Sequence, residues 1–330
     1  MKVLKYEFLL EAQSPLAHHA EVFGNSAVLM DRKVRLPDGR FVKVPCVTAD
    51  TMRHGMREAA AYALLDAAGL LGVGSLSEAA LRLLFAGGMV TGRGDASVVS
   101  LEGYRKMVEL IPTMGLFGGC ADNRVIPGRL TVDDAQLVCE EAKHYLPAWA
   151  TAWLEAQKSE LAPSRSHVEL VQRVRMDPNL NPGKRKLLAP GAAAEVERRL
   201  LSSEAAHASD EDVDRQAAKS TMMPRTFEVL AQGSLLYWSA SAACYSDLDE
   251  DTFHVALGAF LATAQVGGKR ATGHGRLRVV TARDVAVRRP AESVAEFDTV
   301  ALGGRMGQLF RAHVSERAEA IKTWLGSVNA

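Results

Sequence analysis

Cations and a histidine set among glycines can hold an anion. One stretch of this chain combines them all: Val266-Gly267-Gly268-Lys269-Arg270-Ala271-Thr272-Gly273-His274-Gly275-Arg276-Leu277. Glycine tolerates positive φ and lets other groups come close to the backbone. Such a loop can present backbone N–H groups together with Lys269, Arg270, His274 and Arg276, a combination that suits a phosphate backbone. The plainer reading is a tight helix-to-strand turn with solvated charges. Far upstream, Arg53 and Arg57 are spaced i,i+4, so a helix places both on one face near its N-terminal end. The free N–H groups of that end are already partly positive, so two arginines there favour a bound anion over dipole compensation. Two solvated helix arginines are the alternative.

Other chemistries lack their residues. Gly-Gly-Lys-Arg at 267–270 is not a Walker A loop, because the lysine precedes the second glycine pair. It is not a dinucleotide fingerprint either, which needs strand, loop and helix in that order; here the order is helix, loop, strand. His18 and His19 are adjacent, a poor spacing for one metal. Cys46, Cys120, Cys139 and Cys244 are scattered without a C-x-x-C, so neither a zinc knuckle nor a disulfide framework is expected. A reduced cytoplasm is the natural compartment. No cofactor or metal site is expected, and no nucleophile-and-base arrangement announces itself.

The elements that must position these residues show in the periodicity. Residues 3 to 13 suit a strand of blurred register, ended by Ser14-Pro15-Leu16. A long irregular segment runs from Ala17 to Pro45, with a hairpin expected around the turn Pro37-Asp38-Gly39-Arg40. A helix capped by Thr48 or Asp50 follows, with Met52, Met56, Ala60 and Leu64 at helical spacing. Ser77–Phe85 and Leu101–Leu110 suit helices, Ile111–Gly119 a glycine-punctuated turn, and Arg124–Val132 a strand. Helical character surrounds Trp149 and Trp153. His167–Arg175 and Thr226–Ser241 are extended, and they bracket a polar excursion of about fifty residues, too long for an ordinary connection. A protruding functional element or a disordered insertion both fit it. Asp249-Glu250-Asp251 starts a helix, the Gly-rich loop follows, and Arg276–Val280 is a strand. Residues 305–325 close the chain as a helix anchored by Leu309, Val314, Ile321 and Trp324.

The chain has 330 residues, 48% hydrophobic and 24% charged, ordinary for a globular protein. Its formal net charge of zero hides segregation. Residues 265–289 hold seven lysines and arginines against the single acid Asp284, whereas Glu195–Asp214 is acidic. No signal peptide opens the chain and no stretch suits a membrane span.

In order, these elements resemble the crRNA-binding backbone subunits of multi-subunit CRISPR effectors, of the RAMP superfamily and its group-seven type. Three places carry the resemblance. Ser14-Pro15-Leu16, then Val44-Pro45 through Thr51-Met52-Arg53-His54-Gly55-Met56-Arg57, looks like the family's loop-and-helix segment. Cys46 and His54 stand there where the family has glycines. Val171–Arg175 and Phe227–Trp238 look like strands flanking the family's thumb. The Gly-rich loop looks like its C-terminal glycine loop.

The resemblance implies an α+β fold: one domain over 1–330, a modified ferredoxin-like (RRM-related) palm with inserted elements. These would be a basic loop or hairpin at 14–45, a helical finger-like insertion at 70–165 and a thumb-like insertion at 173–225. It implies RNA contacts from Arg32, Arg53, Arg57, Lys269, Arg270, His274 and Arg276, and close backbone approach at Gly267, Gly268, Gly273 and Gly275. The thumb would use Lys184, Arg185, Lys186, Met222 and Met223. Implied partners are crRNA, a target nucleic acid with DNA favoured, further copies of the chain in a helical filament, and other effector subunits.

Aligning Asp31 with the family's downstream aspartate puts Asn25 in the nuclease position, where an amide cannot act as the carboxylate. No RNA cleavage is therefore expected. That divergence points to the type IV branch, with type I second. The alternatives are a RAMP endoribonuclease using Asp31, His18 or His274, and a scaffold that binds no RNA.

Overall fold

A computed structural model describes residues 1–88, 97–98, 101–121, 124–174, 186–189, 191–198, 224–285 and 307–327. Its first strand, β1 (Lys2–Ala12), is buried on both faces, which is why its register is blurred in the sequence. Next come β2 (His19–Phe23), β3 (Ser26–Leu29), β4 (Asp31–Arg35), β5 (Phe41–Val47) and α1 (Ala49–Ala67). They are followed by α2 (Glu78–Ala86), β6 (Ser97–Val98), α3 (Leu101–Leu110), α4 (Pro112–Phe117), β7 (Gly119–Ala121), β8 (Arg124–Ile126), β9 (Leu130–Val132), β10 (Ala135–Leu137) and α5 (Ala148–Ala156). The remainder is β11 (Val168–Val174), β12 (Pro224–Leu230), β13 (Leu235–Cys244), α6 (Asp247–Thr263), β14 (Leu277–Asp284), α7 (Gln308–Glu316) and α8 (Ala318–Ser327).

The chain divides into two compact units. One comprises Met1–His19, Leu29–Glu169 and Val229–Ala330; the other comprises Ala20–Val28 and Leu170–Glu228. In the second, a sheet runs in the order β11–β12–β3–β2, with Thr226 opposite Ser26 in a parallel pair. The Arg173 guanidinium lies 5.8 Å from the Phe227 ring centre.

The main sheet of the first unit runs β14–β1–β13–β10–β5–β4, with β9 also on β13. Its inner strands take the chain order β1–α1–β10–β13–α6–β14, and their neighbours are antiparallel. This is the β-α-β-β-α-β plan of a ferredoxin-like, RRM-related palm in an α+β fold, as expected from the sequence. The hairpin expected around Pro37-Asp38-Gly39-Arg40 is β4–β5, with Arg35 opposite Phe41.

Both crossover helices pack on one sheet face. Met52, Met56 and Ala60 of α1 meet Phe253, Leu257 and Phe260 of α6 over Phe8 and Trp238, whose rings stack at 5.2 Å. Each such Met, Leu or Phe side chain, fully buried, contributes about 1.5–3 kcal/mol. Gly55 lets the helices close up, since a Cβ there would lie 2.8 Å from the Phe260 ring. On the other face, α5 sets Ala150 and Leu154 on Leu9 and Val138. A further core joins α1 to α2, α4, α7 and α8 through Leu64, Leu83, Met114, Phe310, Val314 and Ile321.

Several expectations need correction. The turn expected at Ile111–Gly119 contains the buried helix α4, opened by a proline at its first turn, where the missing N–H costs nothing. Arg124–Val132 is two strands, not one, and Thr226–Ser241 falls into β12 and β13 around a turn at Gly233. The C-terminal helix is two, joined at Arg317. Leu309 is 55% exposed and the anchor is Phe310, one position on and fully buried.

Arg129 ties three of these elements together. Its guanidinium meets Asp249 in a bidentate pair at 2.6 Å each, and its Nε donates to the Gly115 carbonyl at 3.0 Å. Asp249 also completes a capping box with Ser246 at the start of α6. Burial works to raise the Asp249 carboxyl, but the Arg129 bonds and the Tyr245 N–H outweigh it and hold it below the usual carboxylate range. A carboxyl lowered in this way adds stability above its unfolded value of about 4, and that stability is lost as pH falls through the folded value. Arg129→Met is therefore expected to lower stability to urea by about 1.5–3 kcal/mol at neutral pH. The gap to the wild type should shrink as the pH is taken below about 4.

Candidate nucleic-acid interface

The Gly-rich loop is closed at its base by its own backbone. α6 ends at Ala264 in the left-handed region, with φ 31°. Val266 N donates to Gly275 O at 2.9 Å and Leu277 N to Ala264 O at 2.7 Å. The loop is also stitched to the segment leaving β1. Gly268 N donates to Ala17 O at 2.7 Å, Gly275 N to Pro15 O at 2.9 Å, and Arg276 N to Ser14 Oγ at 3.0 Å. Two glycines make this possible. Gly267 has φ 77°, and a Cβ on it would lie 2.5 Å from Ala17 O. Gly275 has φ 82°, and a Cβ there would overlap the Val266 carbonyl oxygen. What comes close at these two glycines is the chain's own backbone. Gly273 faces open space, and Gly268 would set a Cβ 3.5 Å from Ala17 O. The Gln265 amide spans the loop, donating to His274 O at 2.9 Å and Arg270 O at 3.2 Å.

Lys269, Arg270 and Arg276 are exposed on this frame. His274, expected beside them, is instead 5% exposed, with its Nδ1 3.2 Å from Thr272 O. Threading the loop between Pro15 and Val266 turns that side chain inward.

Arg53 and Arg57 share a face of α1, but their guanidiniums are turned to backbone carbonyls. Arg53 donates to Leu130 O and Phe117 O, each at 2.7 Å. Arg57 donates to Gly118 O and Phe117 O, each at 3.0 Å, and lies 5.2 Å from the Phe117 ring centre. Burial lowers both, carrying Arg57 down to about 10 with the neighbouring Arg53 adding to the effect. They brace α1 against the ends of α4 and β9.

Arg32 is paired with Asp134 at 2.8 Å, and Asp134 also accepts from Ala49 N at 2.7 Å. One carboxylate thereby meets both a cation and the positive end of α1. Asp31 pairs with Lys43 at 3.4 Å. Lys186 is exposed in a turn. Lys184, Arg185, Met222 and Met223 lie outside the described residues.

The loop and the first turns of α1 do line one cleft, of about 320 Å³, through His18, Asp50, Thr51, His54, Gly267 and Arg270. Arg53 and Arg57 are not among its lining residues. The His18 Nε2 lies 3.3 Å from Thr48 N and 3.2 Å from its Oγ1, and burial pulls the imidazole below its usual value. Burial thus favours the neutral ring, as a hydrogen-bonding group rather than a cation. An apolar groove of about 540 Å³ adjoins the cleft, with Tyr62, Ala63 and Phe260 on its walls and Gly55, Gln265 and Arg270 shared. Sequence reasoning missed Glu58 and Asp134, each set by contacts distant along the chain, and Gln265, whose amide spans the loop that follows it.

Among the described residues no group of three His, Cys, Asp or Glu is placed to hold a metal ion. No described helix is long and apolar enough to cross a membrane. All four cysteines are buried thiols.

No protein-family model matches this chain, and no curated protein matches it in sequence. A solved structure of a "Type IV-B CRISPR Complex" contains a chain similar to it, with a TM-score of 0.50 and 18% identity. The match covers 88% of this chain and 94% of that one. At that identity the likeness is one of fold.

Gly275→Ala places a Cβ in an occupied position at positive φ, so it is expected to destabilise the protein by more than about 1 kcal/mol in thermal unfolding. It should also open the loop to limited proteolysis. Gly268→Ala, with space for its methyl, should do neither.

Proposed function

We propose that this chain is a guide-RNA-binding backbone subunit of a type IV CRISPR surveillance complex, assembling with copies of itself and with other effector subunits. The observation that carries the reading is the stitched loop, which holds Lys269, Arg270 and Arg276 exposed on a rigid backbone frame, with Arg270 and the first turns of α1 on one cleft. Cations fixed in this way grip phosphates whatever the base sequence, as a variable guide requires. Target choice then falls to base pairing. Support also comes from the fold likeness, which extends over nearly the whole of both chains. The stabilised hairpin β4–β5 and its Arg32 lie on the same unit as the cleft.

We read the subunit as non-cleaving, because Asn25 stands in the position the family's nucleases fill with aspartate. The cytoplasm is the compartment this role requires, and a DNA target is the favoured one.

The direct test is the nucleic acid that co-purifies with the chain, followed by titration of single-stranded RNA at several salt concentrations. Replacing Lys269 and Arg276 by glutamine should weaken binding and flatten the salt slope by about 0.7 for each of the two that contacts a phosphate. Affinity and slope equal to the wild type would remove the loop from the RNA site. Incubation of the RNA-loaded protein with Mg²⁺ and complementary RNA should leave both strands intact, and a cut product would overturn the non-cleaving reading.

A further inference from the structure

The wall assigned to phosphate carries an acid. Arg270 lines both the cleft and the adjoining groove, and its Nη1 lies 3.1 Å from Glu58 Oε2 on α1. Asp50 also lines the cleft, and two other acids on this unit have work in the fold. Asp134 meets the first N–H of α1, and Asp249 caps α6. Among the described residues, Glu58 has no side-chain partner but Arg270. The pair is open to water, with side chains 39% and 32% exposed. Exposed pairs of this kind add little stability. Nor does the loop need the pair for its shape, which comes from the backbone bonds to Pro15, Ala17 and Val266 and from the Gln265 amide.

We propose that Glu58 is a resident competitor for the guide phosphate at Arg270. It rests on the guide-RNA reading above and adds to it a residue that sets how tightly, and with what salt dependence, the strand is held. In the free chain the carboxylate occupies the guanidinium. A phosphate that takes Arg270 must displace it. The exchange gives up one ion pair for each one formed, so the site binds less tightly than its cations alone would allow. The displaced carboxylate also takes up a counterion as the phosphate sheds one, so Arg270 adds little to the salt dependence of binding. A strand held in this way can leave and rebind until it is in register.

The test uses the full chain and a single-stranded RNA of mixed sequence, titrated at several salt concentrations. Glu58→Gln should tighten binding about two- to five-fold at low salt and steepen the slope of log K against log salt by about 0.7. In an Arg270→Gln background, Glu58→Gln should change neither quantity, since a pairwise effect disappears with its partner. Unchanged or weaker binding by Glu58→Gln would overturn the proposal and make Glu58 a positioning group for Arg270. An effect that persists without Arg270 would also overturn it, and would assign the change to the general field of the surface. These outcomes leave the guide-RNA reading standing, provided the wild type binds RNA with a salt slope; a wild type that binds none sinks both.

Discussion

The close passage of residues 264–277 against residues 13–17 is the constraint on which the proposed site depends. Backbone groups from one segment meet backbone groups from the other at hydrogen-bond distance, and side chains at Gly267 and Gly275 would prevent it. Everything exposed on the loop inherits its position from that contact. Lys269, Arg270 and Arg276 point outward because the chain between them is held from beneath, and His274 is buried for the same reason. Fixed donors lose little freedom when a ligand arrives, which is how a shallow surface cleft can bind usefully.

Charge on this unit divides by what the charge is holding. Arg53 and Arg57 are half-buried and satisfy peptide carbonyls, so they act as braces. Arg129 with Asp249 is a half-buried pair that joins α4 to α6. Arg32 and Arg270 stand at the surface opposite carboxylates that solvent also reaches. Position alone therefore does not make a cation a ligand-binding group; its partners and its access to water do.

The parts of the fold legible in the sequence are those with a long repeat. α1 shows the helical period over four turns or more, α6 is marked instead by its acidic cap and unbroken apolar run, and the turn at Pro37-Asp38-Gly39-Arg40 carries its own chemistry. β10, at three residues, is too short to express any period. β1 hides its alternation because both faces are covered. Leu309 and Phe310 are neighbours of similar polarity, and only packing decides which faces inward. The loop's residues were visible as a candidate anion-binding set, but the partners of Arg53 and Arg57 were not, because the carbonyls come from residues 117, 118 and 130. Their i,i+4 spacing established a shared face and nothing about what that face meets.

The pairing of β1 has a consequence for the order of folding. Its two neighbours are β13 and β14, which begin at Leu235 and Leu277. Contacts so far apart along a chain close late and slowly. On the ribosome the first strand emerges with Leu4, Tyr6, Phe8 and Leu10 on one face and must wait for most of the polypeptide before either edge is covered, a period in which it is open to aggregation. The segment after it waits longer still, for the loop that follows α6. A polypeptide broken off before that loop thus lacks half of the frame that carries its surface cations, and the RNA capture proposed above would belong to finished chains alone.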